Sequence, residues 1–327
     1  MAMNSTISTV GLPSASGYSV YSALKHPIYA TTFIARLYAE SVSGMITDQS
    51  VVPRELKEGG DLAVMRRPPT GELFSYTKNQ ALEHSSMNTS NVTFKVDKAW
   101  YWSLKLDEVD VKQIQEIKTW VKEYQDSCLH QLAAVQDNGV LHDMYAGAHA
   151  CNKGANAGIR THSHNLGAVG APLALTASST INPLTLMIVL GSVLDEQNVP
   201  NVGRFCVWHS IVRPLFMSTP ILAQAYMSGE ARSTMLTGKI PNIMDTANIF
   251  TPNAPMYKDP ITGERCFPVV MGMKQATGFV NQLTKTQVID QDVRSFASYW
   301  RGLQISGWGV IRPEMLAVAY VKVASLI

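Results

Sequence analysis

The chain has 327 residues, of which 46% are hydrophobic and 16% charged, with a formal net charge of +2. That length supports one or two domains with a large buried core, and near-neutrality removes any case for a chain drawn to nucleic acid by its overall charge. A charged share well below the usual value of about 25% leaves much of the surface to apolar contact, which favours a subunit that buries surface against other subunits.

Residues 1 to 20 are mostly Ser, Thr, Gly and Ala and form an arm without a core of its own. From Pro27 to Met45, Phe33, Leu37, Tyr38 and Val42 recur at helical spacing and predict a short helix. Gly59-Gly60 breaks the chain ahead of Asp61 to Arg67, and Pro68-Pro69-Thr70-Gly71 cannot continue a strand ladder. Residues 71–90 are polar and irregular. Strict alternation then returns at Val92, Phe94 and Val96, and again at Trp100, Trp102, Leu104 and Leu106, which predicts strands. A polar segment enclosed by such strands implies a long, projecting hairpin.

Asp107 to Asp110 offers helix N-caps, with Gln113 three residues after Asp110. Ile114, Ile117, Val121, Tyr124, Cys128, Leu132 and Val135 follow at steps of three and four, predicting one apolar stripe on a long helix that ends at Asn138-Gly139. Residues 139–170 are rich in Gly, Ala, Asn and His and keep no period. A second helix is predicted over Pro183 to Glu196, capped by Asn182 with Pro183 at its first position. Strands are expected at Arg204 to His209, Pro268 to Met273, Leu303 to Ile311 and Leu316 to Val323. Helices and strands mix without regular alternation and without an internal repeat, so the fold class is α+β.

Little in the chain suggests catalysis. His149, Cys151, His162 and His164, with Asp143 nearby, form the one local group of metal-ligand types, but their spacing is not that of a structural zinc site. A metal-dependent enzyme using the His149–His164 loop is the reading from another functional class; surface histidines on a small-residue loop are the plainer one. Gly302 to Gly309 has the glycines of a phosphate loop without its Lys and hydroxyl, so close packing inside a strand is expected. Asp195-Glu196 is expected to be a solvated helix end, and Trp100 and Trp102 to line a buried sheet face. Cys128, Cys151, Cys206 and Cys266 have no paired spacing and suit a reducing compartment. No secretory signal is evident, and the longest apolar run, Leu184 to Leu194, is too short to span a bilayer. No cofactor is expected.

Several segments share one order: a Gly-Gly-Asp start to a hairpin with Arg66-Arg67-Pro68-Pro69-Thr70; Asp97-Lys98 and an aromatic strand before the long helix; Leu194-Asp195-Glu196-Gln197-Asn198-Val199-Pro200 with Gly203-Arg204; and a closing Gly302-Leu303-Gln304-Ile305-Ser306-Gly307-Trp308-Gly309-Val310-Ile311-Arg312-Pro313-Glu314. In that order they resemble the major capsid proteins of tailed bacteriophages, the family with the Hong Kong 97 coat fold. The resemblance implies an N-terminal arm (1–58), an extended hairpin loop (59–98), a peripheral domain with a spine helix (99–170), an axial domain (171–294) and return strands of the peripheral domain (295–327). It implies a virion coat protein, assembled in the host cytoplasm as pentamers and hexamers into an icosahedral head. Its partners would be copies of itself, scaffold, portal and decoration proteins, and packaged double-stranded DNA contacted non-specifically, with no membrane. Arg66, Arg67, Glu72 and Lys78 on the hairpin loop are the expected inter-subunit residues. An encapsulin-like nanocompartment shell shares the same plan.

Overall fold

A computed structural model describes residues 40–69, 71–87, 89–108, 112, 117–176, 181–219, 240, 242–289 and 296–323. The expected arm, most of the first short helix, Thr70 and the capped start of the long helix lie outside the described residues. Two single-turn helices, α1 (Ser43–Ile46) and α2 (Glu55–Glu58), precede a hairpin of β1 (Leu62–Arg66) and β2 (Asn91–Lys95). The antiparallel register sets Ala63 beside Phe94 and Met65 beside Val92. Phe94 and Val96 carry that face into a small core with Val52, Leu56, Val280 and Ile311.

Beyond the hairpin, β3 (Lys98–Asp107), β10 (Ala297–Val310) and β9 (Thr277–Ile289) form an antiparallel sheet with β10 in the middle. The alternation read from Trp100 to Leu106 is visible as alternating half-buried and exposed positions along β3. Glycines in β10 serve close packing: opposite Trp102, a Cβ at Gly302 would stand 2.3 Å from the indole nitrogen. No strand was expected at β9. Its sequence lacks a period because only one end of it, at Phe279 and Val280, enters a core.

The long helix, α3 (Ile117–Gly147), does not stop at Asn138-Gly139 but runs on to Gly147. Gly139 is a packing residue. A Cβ there would lie 2.4 Å from the Trp308 ring, so its absence lets the indole press against the helix. The expected stripe is also only partly buried: Val121 is, whereas Tyr124 and Val135 are exposed. α3 changes partners along its length. Its first half lies over the three-stranded sheet, with Tyr124 edge-on to Trp102 at 6.4 Å. Its second half turns Val140, Leu141 and Met144 into a core with Phe205, Val207, Val270 and Val318.

That core covers one face of a second, mixed sheet, ordered β4 (Leu173–Leu175), β11 (Leu316–Val323), β8 (Arg265–Met273), β5 (Arg204–His209), β6 (Thr246–Thr251), with β7 (Tyr257–Lys258) paired to β8. Its strands read as continuous apolar runs because both faces are covered. In β5, Phe205 and Val207 face the α3 side, while Cys206 and Trp208 face the core built around α4 (Pro183–Glu196) and α5 (Arg213–Ser218). α4 has its predicted bounds, and Asn182 Oδ1 accepts from Thr185 N at 2.7 Å. The chain crosses between the two sheets near its end: β9 pairs with β10, whereas β11 pairs with β8 and β4. The single 3-10 turn Pro313–Met315 carries the chain from one sheet to the other.

Candidate assembly surface

The sheets leave one long segment outside every core. Residues 71–87, between β1 and β2, form no helix or strand. At the tip, Gln80 Oε1 accepts from Thr77 N (3.1 Å) and Thr77 Oγ1 (2.7 Å), and Asn79 takes a left-handed φ of 69°. Glu72 and Lys78 are both exposed on this loop, as is Arg66 at its root. The loop also exposes Leu73 completely and Phe74, Tyr76, Leu82 and Met87 by more than half. Sequence reading missed these five because they stand among polar residues without a period. So many large apolar groups in water on one loop make it the candidate contact surface.

At the loop's root, the Arg67 N–H donates to Ser90 O at 2.9 Å. Its guanidinium reaches Glu314 Oε1 at 3.1 Å and the Ile311 carbonyl at 3.3 Å. Arg67, one of the expected inter-subunit residues, holds a carboxylate of its own chain. The pair is too exposed to contribute more than about 1 kcal/mol.

Two buried joints, one on a carboxylate and one on a guanidinium, hold the body of the chain together. Asp137, fully buried on α3, accepts from Ser41 Oγ (2.9 Å), Val42 N (3.1 Å), Ser43 N (2.9 Å) and Asn253 Nδ2 (3.0 Å), fastening the start of α1 to the helix. Arg204, buried at the start of β5, donates to Asp195 Oδ1 (2.7 Å), Pro200 O (2.9 Å) and Val199 O (2.5 Å). It thereby ties the end of α4 to the strand that follows.

Glu196 is not a solvated helix end. It accepts from Thr161 Oγ1 (2.7 Å) and Arg160 N (2.8 Å). The Thr161 hydroxyl and then the Arg160 amide hold its carboxyl well below the usual range, at about 2.

The expected metal-ligand types are dispersed onto such structural duties. His149 Nδ1 accepts from Cys151 N at 3.3 Å, His164 Nε2 lies 3.4 Å from Glu196 Oε1, and Asp143 pairs with Lys98 at 2.9 Å. His162 occupies a left-handed turn at φ 47°. Among the described residues, no group of three or more His, Cys, Asp and Glu is placed to hold a metal ion, and no helix is long and apolar enough to cross a membrane.

No protein-family model and no curated protein matches this sequence. Solved structures match along nearly its whole length. A structure from Mycobacterium phage Che8 shares 16% identity over 90% of this chain and 96% of that one, with a TM-score of 0.66. The capsid structure of Cyanophage P-SCSP1u shares 14% over 92% and 94%, with a TM-score of 0.64. The mature capsid of bacteriophage PhiM1 shares 13% over 93% of each chain, with a TM-score of 0.61. The fold is therefore the α+β fold of phage capsid structures.

Proposed function

We propose that this chain is the major capsid protein of a tailed bacteriophage, a coat subunit that assembles with copies of itself, as pentamers and hexamers, into an icosahedral head around double-stranded DNA. The observation that carries the reading is the match in both directions: more than nine-tenths of the Cyanophage P-SCSP1u and PhiM1 capsid chains is covered by this one, and the reverse. The chemistry of such a subunit is association, not catalysis, and its place is the virion. Scaffold, portal and decoration proteins and the packaged DNA are its further partners on this reading.

The exposed loop supplies a means. Covering Leu73, Phe74, Tyr76 and Leu82 with a neighbouring copy would gain roughly 1.5–3 kcal/mol for each side chain fully buried, before the cost of ordering the loop. Exposed Glu72, Lys78 and Arg66 would then select which surfaces meet more than how tightly they hold. Negative-stain microscopy and sedimentation of the purified chain, alone and with the proteins encoded beside it, test this. Rings, sheets or closed shells are expected; a monomer at every concentration and salt tried would overturn it.

A further inference from the structure

The face of the three-stranded sheet turned away from α3 has a composition that the assembly reading does not use. Trp102 meets Tyr124 of α3, so the odd-numbered residues of β3 point the other way. The register stacks the middle three in rows: Tyr101, Leu303 and Lys285; Ser103, Arg301 and Gln287; Lys105, Tyr299 and Ile289, with Ala99 at one end of the face and the acidic Asp107, opposite Ala297, at the other. Each strand and each row contributes one cation, and none of the nine is acidic. Lys285, Arg301 and Lys105 thus form a diagonal with steps of about 8 Å, from about 7 Å between alternate residues of a strand and about 5 Å between strands.

What sets these cations apart is their alignment on one face. Arg67, Lys98, Arg204 and Lys322 each reach a carboxylate of their own chain. Among the described residues, Lys285, Arg301 and Lys105 reach none. Arg301 rests on Gln287 Oε1 at 3.0 Å, and Lys105 lies 5.9 Å from the Tyr299 ring. Beside the diagonal, Tyr101 is 81% exposed and Leu303 38%. They border a hollow of about 450 Å³ with Lys285, Gln287 and Arg301.

We propose that this face docks an acidic polypeptide segment of a partner protein, with carboxylates spaced 7–8 Å apart and an aliphatic or aromatic side chain for the hollow. An extended chain repeats its same-face side chains about every 7 Å, close to the step of the cation diagonal. Nucleic acid suits the face less well. Three phosphate contacts give weak binding that is lost readily with salt, and the aliphatic Leu303 side chain offers nothing to a phosphate backbone. A second copy applying the same face is opposed by the like charges.

The test uses the full chain and fluorescence anisotropy with three labelled probes: a peptide of alternating Glu and Thr with one central Leu, the same peptide with Lys for Glu, and an oligothymidine of equal length. The Glu peptide should bind at low salt and the Lys peptide should not. Binding should weaken at least tenfold in Lys285→Glu/Arg301→Glu and severalfold in Lys285→Gln/Arg301→Gln. It should be unchanged in Lys57→Glu, an exposed cation on α2. All substituted residues are exposed, and circular dichroism confirms that each variant is folded. Three results would each overturn the proposal: peptide binding indifferent to the substitutions, oligothymidine binding tighter with the same variant dependence, or no peptide binding together with a changed sedimentation of the free charge-reversed chain, which would make the face a contact between copies.

Discussion

Arg204 is held out of water by partners from its own neighbourhood in sequence: Asp195 and the carbonyls of Val199 and Pro200. A buried guanidinium survives only when its donors are matched, and its planar fork suits this ring of acceptors as a lysine would not. Arg204→Met should therefore cost about 3–5 kcal/mol, because it strands buried carbonyls. Arg204→Lys should recover only part of that, as chemical denaturation can measure. Asp195 is half exposed and can rehydrate, so Asp195→Asn should cost less than either. Glu196 gives a pH-dependent counterpart. Its folded pKa, about 2, lies below the ordinary 4.5, so the unfolded chain takes up the proton first as pH falls. The stabilisation is complete above the ordinary value and fades between about 4.5 and 2. Glu196→Gln should lower Tm at neutral pH, and the difference from the parent should close across that acid window. A constant difference down to the lower limit would mean that the loop at Arg160 and Thr161 is held by something else.

At the scale of elements, α3 sets the hardest problem. Its intrinsic preferences favour Ala over Gly in a helix interior by about 1 kcal/mol, so Gly139→Ala would stabilise an isolated helix. Here the new Cβ would meet the Trp308 ring, which is stacked on Trp100 at 5.6 Å and Phe279 at 6.2 Å. The expected outcome is a net loss of about 1–3 kcal/mol from overpacking, read by thermal denaturation. A gain would show that the indole moves aside freely. The same residue explains what could be read in advance. Asn182-Pro183 caps α4 by local chemistry, the run Phe205-Cys206-Val207-Trp208 is buried on both faces, and the Trp100 to Leu106 alternation reports one half-buried sheet face, so all three elements were legible. Asn138-Gly139 looks like a helix stop because the ring that makes the glycine necessary arrives from residue 308. Asp137 gave no signal for a like reason: its nearest partner in sequence, Ser43, is 94 residues away. β9 was hidden by its own exposure, since an edge strand with one buried end carries little pattern.

At the scale of the molecule, the loop between β1 and β2 has to be accounted for by something outside the single chain. Its root is well determined: β1 and β2 pair along their length, Phe94 and Val96 enter a core, and Arg67 is fastened to Glu314. Residues 71–87 contribute no residue to the three cores, yet they hold Leu73, Phe74, Tyr76, Leu82 and Met87 in water. Stability and assembly should therefore separate. Excising 71–87 and closing the gap with a short Gly-containing turn shortens a flexible loop, which alters folding free energy by about 1 kcal/mol or less. The excised chain should stay soluble, keep its helix content by circular dichroism and unfold near the parent's Tm. Closed particles should fail to form, or should fall apart during sedimentation. Leu73→Ser/Phe74→Ser/Leu82→Ser, which keeps the loop and its charges, should show the same split more mildly. Normal shells from the excised chain would refute a role in assembly, whereas an insoluble, unfolded product would place the loop within the folding unit.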